Sequence, residues 1–214
     1  MEDLSNHRKS YEKSELGDTG LPDGPMDLFR TWFFEADESK LVSEANAMTI
    51  STIGLDGFPK SRVVLLKEFS EHGFVFYTNY NSEKGKAMDG NPNVCVSFFW
   101  PALERQVIIK GVAGKVSAKM SDEYFESRPY GSKLGALVSD QSEVIPSRAF
   151  LEAKLESLEH SIAGNEISRP DYWGGYIIKP SEIEFWQGRP NRLHDRIRYQ
   201  FNGAESWSRD RLSP

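Results

Sequence analysis

Arg192-Leu193-His194-Asp195-Arg196 sets three cationic or protonatable side chains at alternate positions. Successive side chains on an extended backbone point to opposite faces, so the spacing predicts Arg192, His194 and Arg196 on one face. Like charges this close repel unless an anion or carboxylate lies among them, and a phosphate-bearing ligand is a natural occupant. A surface strand whose cations pair with Asp or Glu across a sheet explains the same pattern, and on this stretch alone it is the simpler account.

Ser61-Arg62-Val63-Val64-Leu65-Leu66-Lys67 is a second candidate. Regular pleating over this run sends Arg62 and Lys67 to opposite faces, so the two serve different anions unless a bulge intervenes. Asn79-Tyr80-Asn81-Ser82-Glu83-Lys84-Gly85-Lys86 follows a strand-like run and opens a short helix, where backbone N–H groups and the helix dipole attract phosphate. A solvated helix start explains it equally well. Arg128 complements a helix C-terminus or meets a ligand, with Ser132 close behind. The Gln106 amide can hydrogen-bond a heterocycle or water, and Trp186 is by default a core aromatic.

The elements that must position these residues read as follows. Residues 1–22 are polar and aperiodic, a mobile arm in which Arg8, Lys9 and Tyr11 stand out; a single domain is expected over 23–214. Leu28, Phe29, Trp32, Phe33 and Ala36 fall at helical spacing after Pro25. Strands are expected over 47–53, 60–69, 74–79, 93–100 and 105–116, with turns at Asp56-Gly57 and His72-Gly73. Helices follow over 121–127, 133–138 and 147–162, the last with Phe150, Leu151, Leu155, Leu158 and Ile162 in one stripe. Strands resume over 173–179, 182–187, 195–201 and 206–212. Such tightly connected strands favour a mainly β fold with some α, an antiparallel barrel with peripheral helices.

The 214 residues carry 26 Lys and Arg against 32 Asp and Glu, a net charge of −6 that repels nucleic acid and anionic membrane unless cations concentrate locally. No apolar run is long enough to predict a membrane span, and the polar start does not read as a signal peptide. Cys95, the single cysteine, excludes an intramolecular disulfide and reads as a buried thiol in a reducing, cytoplasmic setting. His7, His72, His160 and His194 lack partners at metal-ligand spacing, so no metal is expected. With neither a Walker A loop nor a Rossmann glycine fingerprint, ATP and nicotinamide dinucleotides lose support.

Taken together, RVVLLK at Arg62–Lys67, Tyr77-Thr78-Asn79, Glu104-Arg105-Gln106-Val107, Ser127-Arg128-Pro129, Gln141-Ser142, Trp173-Gly174-Gly175 and the block from Glu184 to Arg196 resemble the pyridoxamine (pyridoxine) 5′-phosphate oxidase family in order and spacing. The resemblance runs from about Pro25 to Pro214. It implies an FMN-binding split β-barrel, a homodimer with FMN at the subunit interface, and oxidation of pyridoxamine or pyridoxine 5′-phosphate to pyridoxal 5′-phosphate. Hydride would pass to flavin N5, and O2 would reoxidise the flavin and yield hydrogen peroxide, with ammonia released from the amine.

By the same resemblance, Arg62, Val63, Val64, Leu65, Leu66, Lys67, Tyr77, Thr78, Glu83, Lys84, Gln106, Gln141, Ser142, Trp186 and Arg196 surround FMN. Lys67, Tyr124, Arg128 and Ser132 meet substrate phosphate, and Arg192, Leu193 and His194 meet the rest of the substrate, with Arg192 and His194 catalytic. Arg8, Lys9, Ser10 and Tyr11 fold over the site. Glu83 departs from the family, which usually has arginine there; turned toward the phosphate it would repel it, and turned aside it would leave Arg62 and Lys84 to bind. Competing readings are a non-catalytic flavin-binding split barrel and a nucleic-acid-binding β-barrel, the second needing a basic aromatic groove that the acidic balance argues against.

Overall fold

Short runs of β-branched and aromatic residues, punctuated by turns, fold as strands because each lays one face on a core while its neighbours satisfy its backbone. The computed structural model describes residues 2–7, 9–162, 165–204 and 206–214. Its elements are α1 (Pro25–Glu38), β1 (Ala47–Ile53), β2 (Pro59–Leu65), β3 (Glu68–Ser70), β4 (Gly73–Asn79), α2 (Glu83–Gly90), β5 (Asn93–Trp100) and β6 (Arg105–Lys115). Then come α3 (Ala118–Ser127), α4 (Tyr130–Val138), α5 (Arg148–Ile162), β7 (Trp173–Gln187), a 3-10 turn (Pro190–Arg192), β8 (Asp195–Gly203) and β9 (Ser206–Arg211). Strand order is β2-β1-β5-β6-β7-β4-β3, with β8 paired to β7 and β9 to β8.

Three expectations are corrected here. The run 60–69 is not one strand: β2 ends at Leu65 and β3 begins at Glu68, because buried Leu66 and the Lys67 N–H, which donates to Val75 O at 2.8 Å, break the pleat. Conversely, 173–187 is one strand rather than two. β7 pairs with β4 through Ile178 and with β8 from Glu182, so Pro180, which has no N–H to give, falls where the partner changes. Finally, Arg192 does not belong to an extended run. Asn191 and Arg192 take left-handed φ of 57° and 63°, and β8 begins only at Asp195.

The chain divides into two compact units. The first comprises Met1–Ile50, Cys95–Gly111 and Pro180–Pro214. Here Pro25 opens α1, whose Phe29 meets Phe98 at 5.2 Å between ring centroids and whose Trp32 meets Phe185 edge-on at 5.3 Å. Buried Tyr199 donates its hydroxyl to Pro22 O at 2.9 Å, and Trp100 Nε1 donates to Ala45 O at 3.0 Å. Cys95 is only half-buried, and burial raises its pKa.

The second unit comprises Ser51–Val94 and Val112–Lys179. Its helical part packs Phe125, Leu134, Ile167 and Trp173, against which Leu155, Leu158 and Ile162 of α5 lay the predicted stripe, whereas Phe150 is exposed. The Trp173-Gly174-Gly175 motif has a steric cause. A Cβ on Gly174 would lie 2.1 Å from Tyr80 Oη, and one on Gly175 would lie 2.8 Å from Tyr77 Cε1.

Candidate active site

In the second unit, β2, β4, the start of α2 and the α3–α4 junction surround a cavity of about 650 Å3. Arg62, Lys67, Lys84 and Arg128 line it, and no carboxylate does so among the described residues. Arg62 and Lys67 therefore share a cavity, against the parity expected of a continuous strand, because the chain leaves β2 between them. Val63, Val64, Leu65, Tyr77, Thr78, Tyr124, Ser132, Gln141 and Ser142 also line the cavity, while Leu66 turns into the core.

Lys84 is the least solvated of these cations, at 4% exposure. Among the described residues its Nζ donates only to neutral oxygens, Thr78 Oγ1 at 3.1 Å, Ser82 Oγ at 3.3 Å and Gln141 Oε1 at 3.5 Å. Burial first, and then the Arg62 charge, bring its pKa down to about 8. Ser82 caps α2 by accepting the Gly85 N–H at 3.3 Å, so the positive end of the helix opens beside Lys84.

Four buried side-chain polar atoms among the described residues lack a hydrogen-bond partner: Arg62 Nε, Tyr77 Oη, Arg128 Nη1 and Arg198 Nε. The first three belong to cavity-lining residues. Buried donors left unsatisfied are expensive, so their grouping marks a place built for an acceptor-rich ligand. Arg128 lies over the Trp173 ring at 4.5 Å, which fixes its guanidinium plane, and burial lowers its pKa. Tyr77, Tyr124 and Trp173 form a near-parallel stack, Tyr77 and Tyr124 at 3.8 Å, giving the cavity an aromatic wall.

Glu83 turns away from this cavity. Its carboxylate binds Lys60 Nζ at 2.5 Å and Arg62 Nη2 at 3.1 Å and lines a neighbouring recess; Lys60, followed by Arg62, holds its pKa below the usual carboxylate range. Lys60 was not singled out in the sequence, although its i, i+2 relation to Arg62 was a usable signal. Trp173 is likewise legible in the sequence only as the first residue of the Trp173-Gly174-Gly175 motif.

In the first unit, Lys9, Ser10, Tyr11, Arg192 and His194 line a cavity of about 670 Å3, together with His7, Arg189 and Asn191. Arg8 lies outside the described residues, and Leu193 is 68% exposed. Tyr11 stands edge-on to Trp186 with ring centroids 5.7 Å apart, and Trp186 meets His194 at 4.7 Å. Trp186 is thus half-buried beside a cavity rather than set in a core. Among the described residues no carboxylate pairs with Arg192.

His194 Nδ1 accepts the Arg189 N–H at 3.1 Å, which assigns the ring proton to Nε2. Burial, then Arg192, lowers the His194 pKa, and Asp195 opposes them. A base with a depressed folded pKa is neutral without penalty above its unfolded value and loses stability as pH falls through that value. The His194 ring, followed by NMR, should titrate below 6.5 in the native protein, and Arg192→Leu should move its midpoint upward. An unmoved midpoint would show that Arg192 does not act on the ring.

Besides Leu66 in the core and Glu83 in its recess, three further residues expected around a flavin line neither cavity. Gln106 Nε2 donates to Ser97 Oγ at 3.1 Å, Trp186 packs as described, and Arg196 grips Glu184 bidentately at 2.7 and 3.1 Å. The expected common face of Arg192, His194 and Arg196 does not form, because the left-handed turn takes Arg192 out of the strand and Glu184 occupies Arg196.

Residues 34–161 match the sequence model of the pyridoxamine 5′-phosphate oxidase family, and residues 173–214 match the pyridoxine 5′-phosphate oxidase C-terminal dimerisation region. A pyridoxine/pyridoxamine 5′-phosphate oxidase from Flavobacterium johnsoniae is 66% identical over 213 residues, with 100% of each chain covered. The crystal structure of PhzG from Burkholderia lata, in complex with tetrahydrophenazine-1-carboxylic acid, superposes with a TM-score of 0.85 at 28% identity, covering 91% of this chain and 95% of the other. A pyridoxamine 5′-phosphate oxidase-related, FMN binding protein from Nostoc punctiforme shares the fold, with a TM-score of 0.73 at 14% identity over 91% of this chain and all of the other. The split-barrel fold expected from the sequence is the one these neighbours share. By sequence model and by full-length identity, the chain belongs to the pyridoxamine 5′-phosphate oxidase family.

Proposed function

We propose that the protein is an FMN-dependent oxidase that converts pyridoxamine or pyridoxine 5′-phosphate to pyridoxal 5′-phosphate with O2 as acceptor. The observation that carries this reading is the carboxylate-free cavity, with four cations, an aromatic wall and unsatisfied buried donors, which suits planar ligands bearing phosphate. Lys84 and Arg62 hold the FMN phosphate at the positive end of α2, with Thr78, Gln141 and Ser142 around it. Lys67, Tyr124, Arg128 and Ser132 hold the substrate phosphate. FMN, when bound, supplies the hydride acceptor and the route to O2. The chain's own residues bind, orient and exclude water.

Gln106, Trp186 and Arg196 complete the flavin site, and Arg192 with neutral His194 faces the substrate ring. The dimerisation region spans these last four residues, so the reading places FMN at the interface of a homodimer. Full-length identity to named oxidases favours this reading over a non-catalytic flavin-binding barrel. Among the described residues no helix is long and apolar enough to cross a membrane.

With pyridoxamine 5′-phosphate, the FMN-loaded protein should form one aldehyde and one hydrogen peroxide per O2 consumed and release ammonia. Flavin binding without aldehyde from either the amine or the alcohol would leave the non-catalytic reading. Glu83→Arg should tighten FMN binding severalfold at low ionic strength, with the gain fading in salt, because position 83 is exposed and already balanced by Lys60. A gain that persists undiminished at high salt would place the residue inside the cavity instead.

A further inference from the structure

Residues 9–16 contain no helix or strand, yet they are held in place. Glu104, between β5 and β6, is 2% exposed and has a left-handed φ of 57°, unusual for a side-chain-bearing residue. Its Oε2 accepts the backbone N–H groups of Glu12 at 2.9 Å and Lys13 at 3.1 Å, and its Oε1 pairs with Lys9 Nζ at 3.3 Å. Burial acts to raise its pKa, but these donors bring it below the ordinary range.

The strained turn is held at its backbone as well. Glu104 O accepts Gly188 N–H at 2.7 Å and Gln187 Nε2 at 3.2 Å, and Gln187 is wholly buried. Gly188 is where Tyr11 packs: a Cβ there would lie 2.7 Å from Tyr11 Cγ and 3.2 Å from Glu104 Cβ. Tyr11 in turn stands edge-on to Trp186 and His194. One buried carboxylate thus links residues 9–13 to the wall of the Arg192–His194 cavity.

We propose that Glu104 is a positioning residue for catalysis, fastening residues 9–13 so that Lys9 and Tyr11 form one side of the substrate cavity with Arg192 and His194. A carboxylate is required because three donors converge on it; an amide in its place turns an NH2 group toward at least one of them. Gly188 is the matching requirement from the other side, since only a residue without Cβ lets Tyr11 settle against the chain. The kinetic consequence rests on the oxidase reading above, whereas the fastening itself does not.

The test compares wild type, Glu104→Gln, Gly188→Ala and Tyr11→Ala, all loaded with FMN. In Glu104→Gln and Gly188→Ala, trypsin cleavage after Lys9 and Lys13 should quicken by about tenfold or more, because the first loses charge-assisted bonds and the second adds a Cβ that collides with Tyr11 and with the Glu104 side chain and pushes the anchor off the segment. KM for pyridoxamine 5′-phosphate should rise by a similar factor in all three variants, with the FMN dissociation constant within about twofold of wild type. Tyr11→Ala keeps the fastening and should raise KM with little change in cleavage. Unchanged cleavage in Glu104→Gln overturns the fastening. Faster cleavage with KM and kcat unaltered overturns the positioning role. If no variant and no wild type oxidises the substrate, the oxidase reading fails while the cleavage rates still decide the fastening.

Discussion

Lys84→Met should weaken FMN binding about tenfold to a hundredfold, the loss expected when a charge-assisted hydrogen bond to phosphate disappears from a buried site, and should at the same time stabilise the cofactor-free fold. The two effects have one cause. An ammonium at 4% exposure whose partners among the described residues are all neutral is poorly solvated until an anion arrives. Thr78 and Ser82 keep partners without it, since Thr78 Oγ1 donates to Gln141 Oε1 and Ser82 Oγ donates to Asn79 O. Methionine has a similar length and needs no solvation, so the cofactor-free Tm should rise by about 2–4 °C if roughly 1 kcal/mol is recovered.

The pH dependence follows with a definite sign. The folded pKa of about 8 lies below the ordinary lysine value, so between the two the unfolded chain binds more protons, and cofactor-free stability rises with pH over that window. FMN affinity moves the other way, falling as pH passes 8 and Lys84 loses its charge. Both dependences should vanish in Lys84→Met. A variant that melts lower than wild type without FMN would contradict this account of the cavity.

Arg192→Leu should lower kcat/KM by about a hundredfold to a thousandfold while moving the FMN dissociation constant less than about threefold, because losing both charge and orientation at the substrate removes transition-state positioning. Arg196→Leu should do the reverse at first order, weakening FMN and leaving Glu184, 12% exposed at its side chain, without its bidentate partner. The contrast should be sought between these arginines. Trp186 and His194 touch at 4.7 Å, so a change in either ring disturbs the other and blurs the division between flavin and substrate roles. Equal losses of turnover and flavin affinity in Arg192→Leu would contradict its assignment.

Much of this arrangement was legible in the sequence where local rules decide it. The run from Asn79 to Lys86 reads as a helix start after a strand, which puts Lys84 in the first turn that Ser82 caps, and Trp32 and Phe29 face inward because helical spacing puts them there. Parity failed for Arg62 and Lys67 because a break at Leu66, stabilised by Lys67 N–H to Val75 O, is a tertiary choice that the apolar run RVVLLK does not announce. The left-handed Arg192 and the continuity of β7 through Pro180 were hidden for the same reason: neighbouring strands, not local propensity, set them. Glu104 was visible only as a motif member, since its partners lie some 91 residues away in the chain.

The most direct measurement is anaerobic mixing of the FMN-loaded protein with pyridoxamine 5′-phosphate while the flavin absorbance near its long-wavelength maximum is followed. The account predicts complete bleaching, one pyridoxal 5′-phosphate formed per flavin, and return of the absorbance when O2 is admitted. Flavin that stays oxidised with saturating amine and alcohol substrates would contradict it.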